Sequence, residues 1–231
     1  LRLYQLGPSY LFNNNANASV YEVREPSPNI TWEKATKTDI GFEVSLWKGL
    51  LSIEADYFSE KRNDMLIAST VILPDEYGIG IGQENTGVMQ NKGFDFKIVS
   101  NYTISRDLSI NGAFNFTYAK NKIVNINEPV SIRDNPNRTQ VGKAYGTPFG
   151  YEVLGLFQST REIDETPYAK ALGTVKPGDV KYLDLNNDGK LNNDDIKPIG
   201  KPNFPEIIYG FEGGVNYKNF QLDMLWQGAA N

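Results

Sequence analysis

The sequence predicts an all-β fold: part of an antiparallel, up-and-down transmembrane β-barrel that carries long loops on one side. Three observations point there. Apolar side chains recur at every second position in six segments. Those segments come in pairs, joined by short turns and separated by long connections. Aromatic residues gather near segment ends, at Trp47, Tyr57, Tyr118, Tyr217 and Trp226.

The first pair begins with Ile40, Phe42, Val44 and Leu46, alternating with Gly41, Glu43 and Ser45. After a turn at Trp47-Lys48-Gly49 it returns through Leu51, Ile53, Ala55 and Tyr57, which alternate with Ser52, Glu54, Asp56 and Phe58. Because strand side chains point to opposite faces in turn, this hairpin has one apolar and one charged face. The second pair sets Phe94, Phe96 and Ile98 against Asp95, Lys97 and Val99. It turns near Ser105-Arg106-Asp107 and returns through Leu108, Ile110, Gly112, Phe114, Phe116 and Tyr118. The third runs through Ile207, Tyr209, Phe211, Val215 and Tyr217, turns at Lys218-Asn219, and returns through Phe220, Leu222, Met224 and Trp226. Several of these strands approach the roughly 9–11 residues that a tilted strand needs to cross a bilayer. Phe96, Phe114, Phe116, Phe211 and Leu222 are expected to face lipid. A seventh strand is expected near residues 1–11, and no helical period of any length is visible. Gly93 is expected at the start of a strand, where the missing side chain permits close approach or a bulge.

Within pairs the connections are a few residues long; between pairs they run from about Asn63 to Asn91 and from Lys120 to Pro205. Short turns on one side and long loops on the other are the plan of an outer-membrane barrel. A soluble sandwich spaces its strands more evenly. A soluble sheet whose apolar face is a core is the alternative. Three hairpins cannot enclose a pore, and in lipid each open edge leaves backbone groups unpaired at several kcal/mol apiece. Strands from outside this sequence are therefore expected to complete the barrel. The chain starts at Leu1-Arg2-Leu3-Tyr4 and stops at Gly228-Ala229-Ala230-Asn231, both in mid-pattern, and reads as an excerpt of something longer with no signal peptide of its own.

The 231 residues would fit one large all-β domain or two small ones. With no histidine and no cysteine, the chain excludes histidine bases, thiolate nucleophiles, disulfides and the usual zinc sites. Twenty-eight acidic against 23 basic residues give a net charge of −5, which argues against nucleic acid as a partner. No apolar run approaches the ~18 residues of a transmembrane helix. A hydrophobic content of 40% still suits a barrel, whose interior face is polar.

One motif carries chemistry. Asp184-Leu185-Asn186-Asn187-Asp188-Gly189-Lys190-Leu191-Asn192-Asn193-Asp194-Asp195 follows the spacing of a calcium loop, with oxygen ligands at positions one, three and five and glycine at six. Asp184, Asn186, Asp188 and Asp195 are expected to give side-chain oxygens and Lys190 its carbonyl, with Asn192 acting through a water. Position twelve is aspartate where helix-loop-helix proteins prefer glutamate. The flanks, Pro177-Gly178-Asp179 and Lys197-Pro198, are not helical, so Ca2+ here would be structural. A polar turn cluster is the plainer alternative. Glu43, Glu54 and Asp56 read as charges facing a lumen rather than a catalytic carboxylate pair. Gly78-Ile79-Gly80-Ile81-Gly82 lacks the helix of a phosphate-binding loop and reads as flexible chain. Glycosylation sequons, such as those beginning at Asn29, Asn101, Asn115 and Asn137, are frequent by chance.

An ordered run of phrases resembles a known family. Pro28-Asn29-Ile30-Thr31-Trp32-Glu33-Lys34 precedes Thr38-Asp39-Ile40-Gly41-Phe42, then Asp56-Tyr57-Phe58, Asp64-Met65-Leu66 and Met89-Gln90-Asn91-Lys92-Gly93-Phe94-Asp95-Phe96. Gly155-Leu156-Phe157-Gln158, Pro177-Gly178-Asp179-Val180-Lys181-Tyr182, Ile199-Gly200-Lys201-Pro202 and Tyr209-Gly210-Phe211 follow. The series is similar to the C-terminal part of SusC-like TonB-dependent outer-membrane transporters, over nearly the whole chain. The resemblance implies a 22-stranded barrel in the outer membrane of a Gram-negative bacterium, with residues 1–231 as a partial barrel domain and 120–205 as a long extracellular loop. It further implies a plug, energy relayed by TonB, a SusD-like surface lipoprotein as partner, and an oligosaccharide or peptide as cargo. Nutrient import with no covalent chemistry is the first functional expectation. A calcium-stabilised surface β-domain, adhesin-like and binding carbohydrate or protein, is the second. A carboxylate hydrolase comes last, because no carboxylate pair has a supporting constellation.

Overall fold

The computed structural model describes residues 3–69 and 74–231. Four short strands come first: β1 (Leu3–Leu6), β2 (Tyr10–Phe12), β3 (Asn15–Asn17) and β4 (Val20–Arg24). The frame follows in β5 (Lys34–Leu46), β6 (Leu51–Ala68), β7 (Gln83–Ser105) and β8 (Leu108–Asn125). Next is a region of short elements, containing α1 (Val130–Arg133), β9 (Phe149–Tyr151), β10 (Val153–Leu156), α2 (Thr160–Glu165), β11 (Val180–Tyr182) and β12 (Ile196–Pro198). The chain ends in β13 (Ile207–Tyr217) and β14 (Phe220–Ala230).

Six strands form one antiparallel sheet in the order β14-β13-β8-β7-β6-β5, an up-and-down meander interrupted once, between β8 and β13, by the short elements β9–β12. It does not close on itself. The registers show why the alternating pattern is consistent from strand to strand. Val44 pairs with Ile53, Ile53 with Ile98, Ile98 with Phe114, Phe114 with Phe211 and Phe211 with Trp226. That apolar row crosses all six strands. The next row runs Phe42, Ala55, Phe96, Phe116, Tyr209, and the one beyond it Ile40, Tyr57, Phe94, Tyr118, Ile207. A slip of one residue in any strand would turn its apolar set to the other face. On that other face Glu43 lies opposite Glu54, Glu54 opposite Lys97, and Lys97 opposite Asn115.

The apolar face is bare: Phe42 is 61%, Leu222 59% and Trp226 52% exposed. No described element of this chain packs over its apolar rows. Buried apolar residues gather instead in the region after β8. Phe157, Ile163 and Ala169 form a small core there with Val175 against it.

Three expectations need correction. The link between the first two pairs is shorter than Asn63 to Asn91, because β6 runs to Ala68 and β7 begins at Gln83. Likewise β8 continues to Asn125, past the expected start of the long loop at Lys120. These extensions stand beyond the apolar rows, where bulges interrupt the pairing and apolar residues such as Met65, Leu66, Ile67, Val88, Met89, Ile123 and Val124 run consecutively, so alternation gives no signal. No strand at residues 3–12 joins the large sheet: β1 pairs with β4 and β2 with β3. Residues 1–2 lie outside the described residues.

Gly93 is also not at the start of a strand. It lies well inside β7, paired regularly with Phe58 and Ala119. The close approach is real all the same: a Cβ there would stand 2.5 Å from Phe58 Cζ and closer still to the Tyr118 carbonyl. Phe58 covers the bare backbone on the polar face, an aromatic ring filling what a glycine leaves open.

Candidate functional site

The calcium-type loop is held at its base by two small strand pairs. Its leading end leaves β11, where Tyr182 pairs with Val153 of β10; its trailing end enters β12, where Ile196 pairs with Tyr151 of β9. Tyr151 and Val153 are near neighbours in sequence, so the loop ends are drawn together, and the Tyr151 and Tyr182 rings meet at 5.6 Å.

Inside the loop, side-chain oxygens accept from nearby backbone. Asp184 takes Asp188 N–H at 3.2 Å through Oδ1 and Gly189 N–H at 2.7 Å through Oδ2. Asn186 Oδ1 accepts Asp188 N–H at 3.0 Å, and Asp188 Oδ1 accepts Lys190 N–H at 2.8 Å. Gly189, at φ +78°, permits the sharp turn that gathers them. Asp184, Asn186 and Asp188 thus share one turn, with the Lys190 backbone next to it.

Asp195 is placed differently. It is 1% exposed, and its two carboxylate oxygens accept Leu185 N–H at 2.9 Å and Asn192 N–H at 2.8 Å. Asn192 Oδ1 in return accepts Asp194 N–H at 2.7 Å, so Asn192 and Asp195 cap the one-turn 3-10 helix Asn193–Asp195 reciprocally. Among the described residues no group of three or more Asp, Glu, His or Cys stands close enough to hold a metal. The expected ligands thus divide: the Asp184, Asn186 and Asp188 side chains share one turn, and Asp195 is engaged by backbone at the base.

Beside the loop, α2 is fixed by Ser159 Oγ, which accepts Glu162 N–H at 3.2 Å, while Glu162 accepts Lys181 Nζ and Gln158 N–H, both at 2.8 Å. Lys181 and the Gln158 N–H hold the Glu162 carboxyl below its usual range, and Glu162 raises the Lys181 ammonium. The Glu162 carboxyl supports the folded unit above its unfolded titration range, and that support is lost as pH falls through its folded one. Burial raises the Tyr168 phenol, whose hydroxyl donates to the Tyr182 carbonyl.

Glu43, Glu54 and Asp56 lie on the polar face, with Lys97 Nζ 3.5 Å from Glu54. The sequence carries no local signature of a solute site. The structure has a cavity of about 1050 Å³ where the polar face meets the loop region, lined by Glu60, Arg62, Asn91, Asn121, Asn125 and Phe204 among others. Its residues come from three strands and two loops, and no local motif joins them.

Comparison with known proteins fits this geometry. The family model described as "TonB dependent receptor-like, beta-barrel" matches residues 2–189. TonB-dependent receptor P3 of Formosa agariphila is 32% identical over 209 residues, covering 86% of this chain and 20% of that protein. TonB-dependent receptor SusC of Bacteroides thetaiotaomicron is 22% identical over 238 residues, covering 97% of this chain and 23% of SusC. The structure of the RagAB peptide importer in its 'open-open' state superposes with a TM-score of 0.72 at 20% identity, over 98% of this chain and 23% of that one. The chain spans about a fifth of the length of the curated relatives it matches. Its two-faced meander and the match of the family model over most of its length make it a member of the TonB-dependent receptor-like β-barrel family.

Proposed function

We propose that this chain forms part of the barrel wall and loop side of a SusC-like TonB-dependent transporter in the outer membrane of a Gram-negative bacterium. The observation that carries the reading is the six-strand apolar face, which nothing in this chain covers, backed by a polar face that suits a lumen. Free edges at β5 and β14 would be satisfied by strands of the remaining protein, toward the 22 of a plugged transporter. The solute would be an oligosaccharide or a peptide, delivered with a SusD-like surface lipoprotein and drawn through a plug by TonB. The cavity beside the polar face has a mainly apolar wall, and its few amides, at Asn91, Asn121, Asn125, Asn127 and Gln140, offer hydrogen bonds suited to sugar hydroxyls or peptide backbone. RagAB, whose fold this chain shares, is a peptide importer, which favours a peptide. Full-length protein should fractionate with membranes, need detergent, and migrate faster on gels unheated than boiled. Solubility without detergent would overturn this reading in favour of a calcium-stabilised surface domain.

For the loop, the reading is a structural Ca2+ held by Asp184, Asn186 and Asp188 side chains and the Lys190 carbonyl, with Asp195 bracing the base or turning toward the ion. Bound Ca2+ supplies positive charge that offsets the clustered carboxylates and pins the loop. Affinity is expected at ~10⁻⁴–10⁻³ M, as in extracellular modules. Chelation should make residues 177–202 protease-sensitive while β5–β8 stay intact, and Asp188→Ala should reproduce that pattern without chelator. Identical cleavage with and without chelator would reduce the motif to a turn cluster.

A further inference from the structure

The apolar face of the sheet has a charge pattern of its own. Through its regularly paired part it carries no aspartate or glutamate. Besides Lys34, which ion-pairs with Asp64 at 2.9 Å, its charges are Lys61, Lys92, Lys120 and Lys122, all at the loop-side end. They stand in the two rows directly beyond Tyr57, Phe94 and Tyr118. Ser59 pairs with Lys92 and Lys92 with Lys120; Lys61 pairs with Gln90 and Gln90 with Lys122. Like charges placed directly opposite each other destabilise a sheet, and an anion between them would relieve that repulsion. Lys120 approaches Glu206 at 3.6 Å; among the described residues Lys61, Lys92 and Lys122 have no carboxylate in ion-pair range. Lys92, Lys120 and Lys122 line one side of a cavity of about 380 Å³ whose other wall is Tyr57, Phe94 and Tyr118. Phe94 stacks on Phe116 at 5.7 Å and meets Tyr118 at 5.8 Å, so that wall is a packed aromatic surface continuous with the apolar rows.

The geometry points to a binding site for a phosphate-bearing lipid of the outer leaflet, its headgroup between Lys92, Lys120 and Lys122 and its chains along Phe94, Phe96 and Phe116. The inference rests on the membrane reading of this face. A soluble anion would use the lysines alone, whereas an amphiphile uses the lysines and the aromatic wall together. Near a membrane surface each lysine enriches anionic lipid by about fivefold.

The test uses full-length protein in vesicles, with Phe116→Cys carrying bimane in a background free of other cysteines. Bimane fluorescence is quenched by phosphatidylcholine or phosphatidic acid brominated on the chains, at equal mole fraction. The expected result is quenching by both lipids, with phosphatidic acid enriched at the site by at least about fivefold, the contribution of a single lysine. K92Q/K122Q, which leaves the Lys120–Glu206 pair alone, should abolish the excess and keep the phosphatidylcholine signal, and K92R/K122R should restore it. Equal quenching by the two lipids in the unsubstituted protein would overturn the site while leaving the membrane reading intact. Quenching by neither would overturn both. Loss of the phosphatidic acid excess on adding millimolar inorganic phosphate would show a site for free anion and overturn the lipid assignment.

Discussion

Phe114→Arg should cost about 2–4 kcal/mol of folding free energy in a bilayer. Phe114 sits in the row that crosses all six strands, between Ile98 and Phe211, and its face offers no carboxylate that an arginine there could reach. The neighbouring Asn115→Arg is the control. It points to the polar face, opposite Lys97 and Gly210, where water replaces lipid, and should cost much less. Urea titration of full-length protein refolded into vesicles reads both values. Equal costs at 114 and 115 would mean that the two faces do not differ in solvent. Cysteine at 114 should also resist a membrane-impermeant label; efficient labelling from outside would contradict lipid exposure.

Asp195→Ala should destabilise the loop unit by about 2–4 kcal/mol, because it strips acceptors from two backbone N–H groups at a buried position. Leu185 and Asn192 both donate to this carboxylate, and it is 1% exposed, so water cannot replace it without opening the fold. Asp195→Asn keeps one acceptor and should lose roughly half as much. Hydrogen exchange over residues 179–198 should accelerate in the alanine variant, with β6–β8 unaffected. Unchanged exchange in that segment would show that Asp195 does not brace the loop.

These two positions show what is legible in the sequence. Phe114 and its partners can be assigned to a face from the alternation alone, because a sheet wet on one side and greasy on the other imposes a period of two. The same rule fails beyond the greasy band. In β7, residues 89–92 pair with neighbours as regularly as Phe94 and Phe96 do, but bulges interrupt the pairing at 85–88 and the apolar Val88 and Met89 stand side by side, so the pattern vanishes. Alternation accordingly puts Gly93 at a strand boundary, whereas it marks the change of environment inside one continuous strand. The loop motif is legible as a set of oxygen-bearing residues at fixed spacing. The position of Asp195 is not, because Asn192 and Asp195 also fit a helix cap, and only the donors Leu185 and Asn192 decide which partner the carboxylate takes. Neither the lysine–aromatic wall nor the polar-face cavity has a local signature, since their residues are brought together by register.

The unequal heights of β8 and β13 have a further consequence. Pairing between them begins at Tyr118 and Ile207, with one further bond from Ala119 N–H to the Glu206 carbonyl at 2.9 Å, so residues 120–125 of β8 rise above their neighbour. Exposed strand edges are templates on which other chains can add a strand. Here the chain occupies that template itself: Gly142 N–H donates to the Ile123 carbonyl at 2.8 Å, and Ile123 N–H to the Lys143 carbonyl at 2.9 Å. Asn121 Oδ1 accepts Tyr145 N–H at 2.6 Å. A protein docking on this side therefore finds the backbone already spoken for at Ile123 and meets side chains there, so its recognition at that point would depend on residue identity, and a stray β-segment would gain little by approaching.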